Sequence, residues 1–324
     1  AEIKRNIGAL AFYNDTEKSR KAYLRATQLD PDNADGWNRL GLLLKRIGEI
    51  DKALSAYQTT LCLGQKNKDQ RAIAAAYSNI GNIYYIIGNL DKANEYHNKS
   101  LKIHEILGEN EGIAENYGNL GNTYYTLGDL DKADEYYKNS LRINTIIKHK
   151  KGMASDYGSL GNVYLIQGYL HKAIEYYNKA LEIEENIGCK ENIAISYGNL
   201  GFVYKQCGYL DKAIEYYNKA LEINESLGCK EGMAIQYGNL GIVYEKCGYL
   251  DKAIAYYNKA LEINESLGRK EGMAGNYSNL GLLYVTNNDY GRAREFWQKS
   301  LLLYQSLGSP HTKTVQGWLD ALPE

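Results

Sequence analysis

A period governs what this chain can fold into. Residues 201–240 and 241–280 differ at only eight of forty positions, beginning with Phe202 against Ile242. Looser copies of the same segment run through the rest of the chain. Their shared core is Leu-Gly-x-x-Tyr: LGLLLK from Leu40, IGNIYY from Ile80, LGNTYY from Leu120 and LGNVYL from Leu160, then LGFVYK from Leu200, LGIVYE from Leu240 and LGLLYV from Leu280. A period of roughly 20–50 residues means that each copy is one supersecondary unit. Such a unit buries its apolar face only by stacking on the next copy. With 44% apolar residues and only three prolines (Pro31, Pro310, Pro323) in 324, nearly the whole interior is free to be helical.

Within a copy the apolar spacing is helical twice over. Ala234, Tyr237, Leu240, Gly241 and Tyr244 recur at three- and four-residue intervals, which is one face of a helix. Gly248 then ends that helix as a residue able to turn left-handed. Asp251 starts the next, as an N-cap or first-turn acid at the positive end of the helix dipole. The second helix carries Ala253, Tyr257, Ala260 and Leu261 and ends near Gly268. Glu215 and Lys219 sit four apart in the favourable order, worth a few tenths of a kcal/mol on the solvent side. In the copy at 201, Gly201 and Ala220 permit close helix approach, and Tyr204 and Tyr217 fill the space between. A buried phenol needs a partner, so the tyrosine hydroxyls (31 Tyr against 3 Phe) are expected to reach water at the helix edges. Tyr216 and Asn239 are the positions the fold determines least.

The series Tyr197, Leu200, Gly201, Tyr204, Gly208, Ala213, Tyr217, Ala220 resembles the tetratricopeptide repeat signature position by position. Trp37, Leu40, Gly41, Leu44, Gly48, Ala53 and Tyr57 repeat it, and Gly8, Tyr23, Ala26 and Pro31 mark an earlier, 33-residue unit. The forty-residue length, with YxNLGNxY and KAxxYYxKALxIxxxLG, is similar to that of the long repeats of Pins/LGN-type polarity adaptors and of bacterial repeat proteins. The resemblance implies an all-α fold, a right-handed superhelical solenoid of about eight antiparallel helix hairpins. It would occupy residues 1–308, with a first unit at about 1–33 and roughly forty-residue units after it, and 309–324 would form a C-terminal capping helix through Val315, Trp318, Leu319 and Leu322.

Other chemistries leave no trace in the sequence. Net charge is −1 with no basic block, which argues against nucleic acid as a ligand. No apolar run approaches the ~18–20 residues of a membrane span. The cysteines Cys62, Cys189, Cys207, Cys229 and Cys247 include two pairs forty residues apart, roughly 10 Å on stacked repeats and too far to bridge. Free thiols favour the cytoplasm; a chain whose Ala1 followed a cleaved leader would be periplasmic or extracellular. His97 and His104 share a helix face but are read as solvated positions rather than metal ligands. No nucleotide-binding, nucleophile-elbow or zinc-protease motif is present. The expectation is a non-enzymatic chain without cofactor or metal.

Site residues are sought where the repeat leaves positions open. By the same resemblance, the first helix of each unit lines a concave groove through the residues flanking Leu-Gly. Before the leucine stand Arg39, Asn79, Asn119, Ser159, Asn199, Asn239 and Asn279. Asparagine is a poor helix-interior residue, so its recurrence has a cause: clamping the backbone of an extended peptide, bonding a neighbouring repeat, or copying by duplication. After the glycine stand Leu42, Asn82, Asn122, Asn162, Phe202, Ile242 and Leu282, polar early and apolar late. The groove reading assigns peptide contact to Arg39, Asn79, Asn82, Asn119, Asn122, Asn162, Asn199, Phe202, Asn239, Ile242 and Asn279. The chain would then be a scaffold for a protein or peptide partner. The alternative is a structural protein assembling head to tail with copies of itself into a filament, which an array beginning inside a repeat favours and a capped C-terminal end opposes.

Overall fold

The computed structural model describes Glu2, Lys4, Asn6 and residues 15–323. The first half of the expected 1–33 unit, with Gly8, lies outside the described residues. Among the described residues there are sixteen helices and no strand. They fall into two compact units, Ala1–Val163 and Tyr164–Glu324. The first contains α1 (Thr16–Leu29), α2 (Ala34–Arg46), α3 (Ile50–Asn67), α4 (Gln70–Ile86), α5 (Leu90–Leu107), α6 (Asn110–Leu127) and α7 (Leu130–Ile146). The division falls within α8 (Lys150–Ile166). The second contains α9 (Leu170–Ile187), α10 (Lys190–Gln206), α11 (Leu210–Leu227), α12 (Lys230–Lys246), α13 (Leu250–Ser266), α14 (Lys270–Thr286), α15 (Tyr290–Ser306) and α16 (His311–Asp320).

The hairpins close where the sequence punctuates them. Gly208 adopts φ +81° after α10, and the amide of Tyr209 donates to the carbonyl of Tyr204 at 2.9 Å, closing the helix end. Lys148 and Asn288 take the same left-handed turn without being glycine. Asp211 and Asp251 lie in the first turns of α11 and α13, where the helix dipole favours an acid; the N-cap positions are Tyr209 and Tyr249. Lys219 reaches Glu215 at 2.7 Å on the exposed side. All five cysteines are free thiols.

One contact sets the spacing of each hairpin. A Cβ on Gly201 would stand 2.7 Å from the Tyr217 ring, and Tyr217 itself is fully buried. Gly41 with Tyr57, Gly121 with Tyr137, Gly241 with Tyr257 and Gly281 with Trp297 repeat the arrangement. In α5 the aromatic position is His97, which packs on Gly81 and is 1% exposed. The expected solvated histidine is thus a core residue, and because neither ring nitrogen has a partner, burial drives its pKa down to about 4. Tyr216 is likewise more fixed than its sequence suggests. It stacks on Tyr204 at 5.1 Å and leans on Tyr197 at 5.9 Å. Nor do all the packed phenols reach water: the Tyr57 and Tyr217 hydroxyls are buried without a partner, whereas Tyr257 donates to Glu245 at 2.8 Å.

Between successive hairpins the packing is partly polar. Ser100 Oγ donates to the Ala74 carbonyl and accepts from Asn116 Nδ2 at 3.1 Å. One repeat on, the buried carboxylate of Asp156 accepts from Asn144 Nδ2 at 2.7 Å and lies 3.0 Å from Ser140 Oγ. Burial raises the Asp156 pKa to about 6 despite those two bonds. In the second unit Ser196 donates to Glu184 at 2.7 Å, and burial raises that carboxyl as well.

Overpacking the spacing contact should be costly. Gly201→Ala is expected to destabilise the protein by about 1–3 kcal/mol in urea unfolding. Gly158→Ala, where a Cβ would meet nothing within 4 Å, should instead gain up to about 1 kcal/mol from helix propensity. Equal effects at the two positions would refute the contact's role.

Two of the buried titratable groups, Asp156 and His97, work in opposite directions. Asp156 has a raised folded pKa, so its contribution is full below about 3.8 and is lost as pH rises through about 6. Asp156→Asn, the residue already present at 116 and 276, should therefore stabilise by roughly 2–3 kcal/mol at pH 7 and by little at pH 4. His97 has a lowered folded pKa, so stability present above 6.5 is lost as pH falls towards 4. His97→Tyr should abolish that acid loss. Urea midpoints across this range, unchanged in slope by either substitution, would refute both assignments.

Candidate functional site

In each unit, the first helices of neighbouring hairpins touch one another: α2 with α4 and α4 with α6, then α10 with α12 and α12 with α14. They form a continuous face in each unit, and the residues flanking Leu-Gly stand on it because both the leucine and the glycine point inward. Leu200, Leu240 and Leu280 are fully buried, while Asn199, Asn239 and Asn279 beside them are half-buried.

The asparagine positions divide by their bonding. In the first unit Asn79 Nδ2 donates to Asn38 Oδ1 of the neighbouring hairpin at 2.9 Å, so this amide serves the stacking of repeats. The Nδ2 of Asn119 is buried with no partner. Arg39 is exposed and held by its own helix, Nε lying 2.9 Å from both oxygens of Asp35. Asn122 accepts the Tyr137 hydroxyl at 2.7 Å, and Asn82 and Asn162 are half-buried on the same face. In the second unit, among the described residues, the side chains of Asn199, Asn239 and Asn279 have no hydrogen-bond partner, and none of their polar atoms is sealed from solvent. These three amides are available to a ligand.

The apolar residues gather in the second unit. Phe202 and Ile242 are half-buried, with the Lys205 ammonium 4.4 Å from the Phe202 ring centroid. Burial lowers the pKa of that lysine, and Lys246 adds like-charge repulsion. Asn239, Ile242 and Asn279 meet in a shallow depression of about 310 Å³ whose rim carries Arg269 and Glu271. One hairpin earlier, Ile195 and Ile235 line a second depression of about 430 Å³. These two isoleucines, 61% and 47% exposed, are site residues that sequence reasoning missed. The signal was present: the same column reads Ala75, Glu115 and Ser155 in earlier copies, so a large aliphatic side chain there is a local departure. The corresponding depression of the first unit, about 520 Å³, is lined by Asn79, His104, Glu109, Glu111 and Glu115 and is acidic. The late half of the array thus offers free amides beside exposed aliphatic side chains. That combination can hold a peptide backbone and its apolar side chains.

Among the described residues no group of His, Cys, Asp or Glu is placed to hold a metal ion, and no helix is long and apolar enough to cross a membrane. The family model described as tetratricopeptide repeat matches residues 32–106, 72–146, 153–226 and 232–306, and a TPR repeat model matches 13–48. Among solved structures, the crystal structure of BtubC (BKLC) from P. vanneervenii is 23% identical, with 68% of this chain and 93% of that one covered and a TM-score of 0.60. The apo form of RapI is 17% identical over 85% of this chain and 98% of its own, at a TM-score of 0.66. A signal transduction ATPase with numerous domains and a tetratricopeptide repeat sensor, from Pyrococcus horikoshii, covers 98% of this chain with 49% of its own. Its identity is 22% and its TM-score 0.76. At these identities the likeness is one of fold. Comparison with curated proteins gives no match.

Proposed function

The chain belongs to the tetratricopeptide repeat family, and from that premise we propose that it is a non-catalytic scaffold holding an extended segment of a partner protein. The segment lies on the first helices of the second unit. Repeat arrays of this family are in general protein-interaction scaffolds, so the question is which surface is used. The observation that carries the reading is the unpartnered state of Asn199, Asn239 and Asn279, three amides one repeat apart on one face. A side-chain amide offers both a donor and an acceptor, so it can bond a peptide group whatever residue that group belongs to. Repetition at a fixed interval suits a ligand whose own backbone repeats. Phe202, Ile242, Ile195 and Ile235 supply apolar contact beside the amides, and desolvated apolar anchors of this kind dominate binding energy at most interfaces.

End-to-end assembly into a filament receives less support. On the C-terminal side α16 lays Val315, 1% exposed, and the Trp318 ring, 5.4 Å from that of Trp297, over the last hairpin. The surface that another hairpin would stack on is occupied there.

Peptides selected from a displayed random library on the wild-type chain provide the probe. The triple variant Asn199→Ala, Asn239→Ala, Asn279→Ala is expected to keep its melting temperature within a few degrees and to bind them at least about tenfold more weakly, some 1.4 kcal/mol. Undiminished binding by the folded triple variant would overturn the groove assignment.

A further inference from the structure

A second surface of the Tyr164–Glu324 unit departs from the repeat in a way that packing does not explain. The residue preceding the second helix of a hairpin is normally an N-cap, and capping is the role of Asn89, Asp129 and Asp289. Their side chains accept from the amides of Lys92, Lys132 and Arg292 at 3.2, 3.2 and 3.0 Å. The acid also pairs with the cation three residues on: Asp129 with Lys132 at 2.9 Å, Asp289 with Arg292 at 3.3 Å. In α9, α11 and α13 the same position is Tyr169, Tyr209 and Tyr249, which make no side-chain cap. Replacing an Asp or Asn cap by a side chain that cannot accept from the first amides weakens the start of the helix.

The tyrosines are not buried in exchange. They are 57, 54 and 57% exposed, each meeting Tyr164, Tyr204 or Tyr244 edge-on at 6.3–6.4 Å. The exchange also releases a cation. Lys172, Lys212 and Lys252 have no ion-pair partner among the described residues, and their ammonium groups rest 5.1–5.8 Å from the centroids of two rings each. Asp211 and Asp251 follow two of the tyrosines without pairing to these lysines, and His171 takes that place in α9. Between Tyr169 and Tyr209 lies a depression of about 440 Å³, with Cys207 and Lys172 on its walls.

We propose that Tyr169, Tyr209 and Tyr249, with Lys172, Lys212 and Lys252, form a docking ridge for an acidic, extended segment of a protein partner, separate from the amide-bearing face. Charge complementarity selects the occupant. Three ammonium groups freed of their carboxylates recur once per repeat, and each exposed phenol adds a hydrogen-bonding tip to an apolar ring. Helices of neighbouring repeats pack on the order of 10 Å apart. A segment in the extended polyproline II conformation has three residues per turn and rises about 3.1 Å per residue, so acidic side chains at every third position share one face at about that spacing and match the ridge.

The test uses the full chain and a labelled peptide of about a dozen residues with glutamate at every third position, one face of a polyproline II helix. A glutamine version of the peptide and a labelled single-stranded oligonucleotide serve as comparisons. Wild-type protein should bind the glutamate peptide at least tenfold more tightly than the glutamine one, with affinity falling as salt rises. The triple variant Tyr169→Asp, Tyr209→Asp, Tyr249→Asp restores the cap and ion pair found at Asp129. It should melt at or above the wild-type temperature and lose the glutamate peptide at least tenfold. Lys172→Gln, Lys212→Gln, Lys252→Gln should lose it as well, and Asn199→Ala, Asn239→Ala, Asn279→Ala should not. Equal binding of the two peptides, wild-type binding by the lysine variant, or tighter binding of the oligonucleotide would each overturn the proposal.

Discussion

Everything in this array depends on an absent methyl group. At Gly201 the first helix of a hairpin has no Cβ, and the ring of Tyr217 occupies that volume. The pair fixes how closely two helices approach, and through them how the next hairpin must stack. Because interiors pack without spare volume, the spacing cannot drift to accept a larger residue. The same constraint tolerates exchange of the ring, as His97 over Gly81 and Trp297 over Gly281 demonstrate. Flatness and a size near that of tyrosine are what the site requires. A hydroxyl partner is not required, since Tyr57 and Tyr217 keep theirs unpaired.

With the hairpin geometry fixed in this way, polar groups can occupy the joints between repeats. Asp156, Asn144 and Ser140 satisfy one another at a buried junction, as Glu184 and Ser196 do at another. A buried carboxyl held by neutral donors is a poor source of stability at neutral pH, and its raised pKa expresses that. The equivalent positions carry Asn116, which bonds Ser100 across the joint, and Gln236 and Asn276, of which Gln236 keeps its Oε1 buried without a partner. Variety at the joints makes otherwise similar hairpins distinguishable from one another.

The fold was legible because its determinants are local and repeated. Gly248 and its copies announce where helices end, and the Leu-Gly-x-x-Tyr interval announces which face is buried. The bonding of the amide positions was not legible. Asn79 and Asn239 occupy the same column, and only the presence of Asn38 one repeat earlier commits Asn79 to its neighbour. That contact joins residues 41 apart in sequence and cannot be read from either copy alone. His97 was misplaced for a related reason: its polarity suggested solvent, whereas its column, shared with Tyr57, Tyr137 and Tyr217, dictates the core. In a repeat protein the column outweighs the residue type.

The same reasoning explains why the informative surface residues are departures from the column. A copied frame inherits its core, its turns and its caps without any new requirement, so agreement with the frame says little about binding. Tyr209 in place of an acid such as Asp129 breaks a cap and an ion pair, and Ile235 in place of Glu115 exposes an aliphatic side chain to water. The first exchanges a cap and an ion pair for edge-on contact with Tyr204 and the Lys212 ammonium, and the second leaves Ile235 47% exposed. The two kinds of departure fall on different faces of the second unit, one aromatic and cationic, the other aliphatic and amide-bearing. A single extended segment running along the first helices would contact the second kind only. The physical distinction between the faces is what makes the two proposed binding surfaces separable by mutation, since each rests on residues the other does not use.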